Sequence, residues 1–130
     1  MKITLPNGEV GIAVKGGIEW SYPKNNSEMN EDDKRFFNVL ESAPLVQKMT
    51  AQDILFLTEL PAEMRWEATN IIEYITERDK YKDMGVKRPE WIADLATGFT
   101  ERVTTQAIRE SEQGDHTRLN MLELIFRLDS

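Results

Sequence analysis

A chain of 130 residues is close to the usual size of one domain, and 16 Lys and Arg against 23 Asp and Glu leave it a net charge of −7. That balance argues against a general nucleic-acid or anionic-membrane binder and favours a protein partner with a basic or neutral surface. With no cysteine there is no disulfide, thiolate nucleophile or thiolate metal site, which suits a reducing cytoplasm. No apolar run approaches the roughly 18 residues of a membrane span, and Met1-Lys2-Ile3-Thr4-Leu5 meets Pro6-Asn7-Gly8 before a signal-peptide core could form.

The chain opens on alternation. Asn7-Gly8 is the preferred pair for a two-residue type I′ turn, and pairing outward from it sets Leu5 opposite Val10, Ile3 opposite Ile12 and Met1 opposite Val14. All six apolar residues then share one face, leaving Lys2, Thr4, Gly11 and Ala13 on the other. After Lys15-Gly16-Gly17 the alternation resumes as Ile18, Trp20 and Tyr22. A three-residue loop would bring these against Val14, Ile12 and Val10, whereas a two-residue loop would put Glu19 on the apolar face. The pattern predicts a three-stranded antiparallel meander over residues 1–22 with one apolar face for helices to cover.

A linker-like stretch, Pro23 to Asn30, precedes the helical part. Asn30 is a good N-cap, with Glu31, Asp32 and Asp33 in the first turn where the helix dipole favours carboxylates. Phe36, Phe37 and Leu40 form that helix's buried stripe, and Pro44 ends it. Thr50-Ala51-Gln52-Asp53 reads as a capping box opening a short helix with Ile54, Leu55 and Leu57. A long helix follows Pro61, carrying Met64, Ala68, Ile71, Ile72 and Ile75 at a 3.6-residue period and closing at Gly85. Pro89 opens the next, with Ile92, Leu95, Ala96, Phe99, Val103 and Ala107 inward and an end near Gly114. From about Thr117 the chain suits a last helix burying Leu119, Leu122, Ile125 and Phe126, and its composition also suits a strand. Ile12, Trp20, Phe37, Ile72, Phe99 and Phe126 represent the expected core.

Several constellations bear on chemistry. His116, the one histidine, stands with Asp115 and Glu112, but divalent sites recruit ligands from separated segments, and a polar turn with Asp115 or Thr117 capping the last helix explains the run. Glu63/Glu67 and Glu73/Glu77 lie at i, i+4 spacing, as acid/base pairs would. Arg65, Arg78 and Lys80 lie close in sequence, as on a solvated helix side. There is no P-loop, G-x-G-x-x-G, EF-hand or G-x-S-x-G pattern. Gly16-Gly17 belongs to a hairpin turn. No metal or cofactor is expected.

Binding is the better prospect. Over residues 78–88 five cations oppose two anions, with Tyr81, Lys82, Lys87, Arg88 and the nearby Trp91 as candidate contacts for an acidic partner or nucleic acid. Completing a helix C-terminus is the plainer role for those cations. Trp66 falls at the edge of the long helix's buried stripe, and exposed tryptophan is the residue type most enriched in binding hot spots. Glu31, Asp32 and Asp33 form an acidic surface of the kind that could imitate phosphates, although Lys34 and Arg35 follow at once. The sequence thus predicts a single α+β domain over 1–130, with a β-meander at 1–22, a loop at 23–30 and four to five helices over 31–130. It is expected to be a non-enzymatic protein-binding module: an inhibitor, adaptor or assembly factor, for instance a phage or mobile-element accessory protein that blocks a host nucleic-acid-handling enzyme. A nucleic-acid-associated protein using the basic loop and a small carboxylate-dependent enzyme are the alternatives; the oligomeric state stays open.

Overall fold

Three short strands, β1 (Lys2–Thr4), β2 (Val10–Val14) and β3 (Gly17–Trp20), pair antiparallel in the order β1-β2-β3. Five helices follow: α1 (Glu31–Ser42), α2 (Ala51–Thr58), α3 (Ala62–Asp83), α4 (Glu90–Glu112) and α5 (Thr117–Asp129), with a 3-10 segment at Pro44–Lys48 between α1 and α2. This computed structural model describes residues 2–4, 10–20 and 30–130. The Asn7-Gly8 turn, Leu5, Tyr22 and most of the 23–30 stretch therefore lie outside the described residues.

The helix boundaries obey local chemistry. The Asn30 side chain accepts the Asp33 N–H at 2.8 Å, satisfying one of the amides that a helix start leaves unpaired. At α2 the Thr50 hydroxyl accepts from the Asp53 N–H while the Asp53 carboxylate accepts from the Thr50 N–H, a complete capping box. Pro44 starts the 3-10 segment after α1. Gly85 at φ +70° and Gly114 at φ +96° close α3 and α4 in the left-handed region that favours glycine. The last segment is a helix, which removes the strand alternative. Its Thr117 N–H donates to the Asp115 carboxylate at 3.1 Å, and that backbone hydrogen bond holds the Asp115 carboxyl below the usual range.

α3 is the spine of the helical part, packing against α1, α2, α4 and α5. Ile71 and Ile72 of α3 join Phe36, Leu40, Ile54, Leu57 and Ile125 in one core that also takes in Ile3 and Ala13 of the sheet. Ile72 and Ile125 are fully buried. Phe37 and Phe99 are buried as expected, and Trp20 is half-buried, its indole N–H donating to the Glu41 carboxylate at 2.7 Å.

The sheet corrects the expected register. Ile3 pairs with Gly11 and Thr4 with Val10, one residue away from the pairing that an Asn7-Gly8 turn centres. The β2–β3 connection is a two-residue turn, with Gly16 at φ +88°, in place of the three-residue loop. Glu19 therefore does face Ile12, but on the outward side, and Ile12 is 40% exposed rather than core. The buried face is the one with the small residues. A Cβ on Gly11 would stand 2.6 Å from Ile18 Cγ2 and 3.1 Å from the Trp20 ring, so Gly11 is the space into which those two side chains fold. The Gly16 N–H donates to the Met49 carbonyl at 3.1 Å, holding this face down on the helices.

Two helix assignments also change. Leu95 is 59% exposed and Phe126 38% exposed, although both fall close to buried stripes. The inward line of α4 is Ala96, Phe99, Val103 and Ala107, and a residue one position before Ala96 lies about 100° round the helix, off that line. In α5 the inward set is Arg118, Met121, Leu122, Leu124 and Ile125, which turns Phe126 to the side.

Candidate interaction surface

α4 packs mainly against α5 and α3 and leaves a flank open. Counting from its start after Pro89, Trp91, Leu95, Gly98 and Arg102 follow one another at steps of four, three and four, a spacing that keeps them on one side of a helix. Trp91 is 68% exposed and Leu95 59%. Together with Asp94 and the edge of Phe99 they line an open groove of about 730 Å³. The strip continues across Phe99 to α3. Trp66, 40% exposed, meets the Phe99 ring edge-on with centroids 5.6 Å apart, and Tyr74 meets it edge-on from another side at 5.9 Å. The Arg102 guanidinium lies 5.8 Å from the Phe99 centroid, within cation–π range. Phe99, itself buried, lies between the exposed Trp66 of α3 and the exposed Trp91 and Leu95 of α4.

An ionic junction lies farther along α4, toward its C-terminal end. Arg118, 3% exposed, donates from Nε to Glu67 Oε1 at 2.7 Å, pairs through Nη1 with Glu110, and has Glu63 at 3.7 Å from Nη2. One side chain of α5 thereby clamps α3 and α4. Burial pushes the Glu67 carboxyl up against the pull of Arg118, whereas the hydrogen bond from Arg118 holds Glu110 below the usual range. Glu63 and Glu67, the i, i+4 pair, are therefore both turned toward one guanidinium. Of the other pair, Glu73 is held by Arg35 at 2.8 Å, and both Glu73 and Glu77 line a groove of about 460 Å³ between α1 and α3.

The candidate residues of the basic loop are spread rather than gathered. Arg88 is half-buried and donates from Nη1 to the Tyr74 carbonyl at 3.3 Å. Lys87 pairs with Glu90 at 3.3 Å. Arg78 is clamped by Asp129 at 2.6 Å and Asp79 at 3.0 Å, contacts that hold the Asp129 carboxyl below the usual range. Lys82 is exposed and Tyr81 half-buried on the last turns of α3, and neither lines the groove beside Trp91. In the acidic run Asp33 accepts from Arg65 at 3.3 Å and Glu31 pairs with Lys34 at 3.5 Å, so those two carboxylates serve the helix start, while Asp32 is exposed.

Sequence reasoning singles out Trp66 and Trp91 for binding, sets Leu95 inward, and passes over Asp94, Gly98 and Arg102. The signal that finds them is a second stripe: 91, 95, 98 and 102 repeat alongside the buried 96, 99, 103 and 107. A further groove of about 520 Å³ between α3, α4 and α5 is lined by Ile71, Ile75, Thr100, Thr104, Arg88 and Phe126, among others. Among the described residues no group of three metal-ligating side chains stands together, and no helix is long and apolar enough to cross a membrane. Set against protein-family models, curated proteins and solved structures, the chain finds no match in any of the three.

Proposed function

We propose that this chain is a non-enzymatic protein-binding module acting in the cytoplasm as an inhibitor, adaptor or assembly factor, and that it docks through the outer face of α4 together with Trp66. The observation that carries the reading is the exposure of Trp91, Leu95 and Trp66 around the buried Phe99. Large apolar side chains grouped on a surface favour association, and tryptophan is the residue type that contributes most when an interface closes. The net charge of −7 supports a partner with a basic or neutral surface, and such a field would speed the approach of a basic one. A basic host enzyme that handles nucleic acid, blocked by a mobile-element accessory protein, has that chemistry.

A photoreactive amino acid in place of Leu95 tests the reading in cytosolic extract, with captured protein identified by mass spectrometry. One partner is expected whose capture falls at least about tenfold when Trp66→Ala or Trp91→Ala is added, as loss of a hot-spot residue entails. Capture that neither substitution changes, in chains that melt normally, would contradict it.

A further inference from the structure

The groove between α3, α4 and α5 lies on the opposite flank of α4 from the exposed stripe. Leu95, Gly98 and Arg102 each stand one position before the buried Ala96, Phe99 and Val103, whereas Thr97, Thr100 and Thr104 each stand one after. A step of about 100° in either direction sends the two sets to opposite sides of the helix. The groove's volume of about 520 Å³ falls in the range that holds small molecules, roughly 300–1,000 Å³. Its floor is apolar. Ile71 and Ile75 of α3 and Ala96 of α4 are buried, and Phe126 of α5, which borders the groove, is 38% exposed. On the α4 wall the Thr100 hydroxyl donates to the Ala96 carbonyl and the Thr104 hydroxyl to the Thr100 carbonyl, both at 2.8 Å, so neither has a donor left for a ligand.

The charged side chains of the groove are not equivalent. Arg78 is taken up by Asp129 and Asp79. Arg88, half-buried, has the Tyr74 carbonyl at 3.3 Å and, among the described residues, no ion pair. Glu101, exposed, likewise takes part in none. Arg88 enters from the stretch just before α4, whereas Glu101 stands about three turns into that helix, roughly 16 Å along its axis.

We propose that this groove binds a small amphiphilic carboxylic acid, with its carboxylate on Arg88 and its apolar body over Ile71, Ile75 and Phe126. The site is separate from the face of Trp91 and Trp66 and stands independently of the docking read there. The guanidinium fork of Arg88 matches a carboxylate, and an apolar body removes the Phe126 ring from water. Glu101 repels a negative charge at the far end, so the groove accepts a monoacid and rejects the diacid of the same length.

Octanoate is the probe, titrated into the full chain at neutral pH and followed by methyl NMR and calorimetry. Saturable binding is expected, with shifts at the Ile71, Ile75, Thr100 and Thr104 methyls and none at Leu95. Octan-1-ol and octanedioate should each bind about tenfold or more weakly, because one lacks the charge that Arg88 pairs and the other meets Glu101. Arg88→Gln should bring octanoate down to the affinity of octan-1-ol while leaving octan-1-ol unchanged, which shows that the groove still forms. Trp91→Ala should alter neither. No saturable octanoate binding up to about 1 mM would overturn the site. So would octan-1-ol binding as well as octanoate, or a preference for octanoate that survives Arg88→Gln. Shifts centred on Leu95 would overturn it too, by placing the acid on the opposite flank of α4.

Discussion

Two stripes run side by side along α4 with nearly the same spacing and opposite fates. Ala96, Phe99, Val103 and Ala107 are buried against the neighbouring helices, while Trp91 and Leu95 stand in the open beside Gly98 and Arg102. Hydrophobic periodicity reports that a face is apolar and does not report what covers it. The inner stripe is covered by this chain. The outer one borders the buried Phe99 and stands exposed among the described residues.

The largest effect belongs to the covered side, where Arg118 of α5 ties α3 to α4. Arg118→Ala leaves the Glu67 and Glu110 carboxylates without their partner, and for a buried pair broken on one side the expected loss is about 3–5 kcal/mol, seen as a lower urea midpoint. A loss no larger than that of a surface substitution would mean that water replaces the guanidinium at little expense, and that α4 is not held by this junction.

Acid separates the exposed from the buried pairs. The Asp129 carboxyl is held by Arg78 below its ordinary value of 3.8, so its contribution is present above that value and disappears as pH falls through the folded-state pKa. The pair is half-exposed, which limits the effect to about 1 kcal/mol or less. Asp129→Asn should therefore lower the midpoint at neutral pH and make no difference once the carboxyl is protonated in both the folded and the unfolded chain. Glu67 works in the other direction. Raised above 4.5 by burial, it contributes stability at low pH that is lost as pH rises through its folded-state value. A difference between Asp129→Asn and the unmodified chain that persists into strong acid would show that the substitution acts through packing.

The smallest effect belongs to the outer stripe. Gly98→Ala should raise stability by about 0.5–1 kcal/mol, because nothing in the chain opposes the added methyl. No gain in the thermal midpoint would mean that α4 is strained there.

What is legible in the sequence follows the range of the interactions. Asn30, the Thr50–Asp53 box and the Pro61 and Pro89 starts are readable because each acts on its own turn of backbone, and the helices of the structure begin where they say. The sheet is less readable, since apolar alternation assigns Ile12 inward, whereas helix approach selects the face on which Gly11 and Ala13 leave room for Ile18 and Trp20. Trp66 and Trp91 stand out by residue type alone. Leu95 and Phe126 do not, because one step round a helix separates core from surface and only the packing of α4 and α5 decides it. The basic loop reads as one patch in sequence, but the fold sends Arg78 to Asp129, Arg88 to the Tyr74 carbonyl and Lys87 to Glu90.

The central claim is that the two stripes of α4 differ in job and not merely in depth, and paired carboxylate substitutions test it most directly. Urea denaturation of Leu95→Asp and Val103→Asp should leave the first within about 0.5 kcal/mol of the unmodified chain, as for surface positions. The second should lose more than about 3 kcal/mol, because it buries a charge with no partner. If Leu95→Asp destabilises the chain as severely as Val103→Asp, the outer stripe is part of the core and cannot be the docking face.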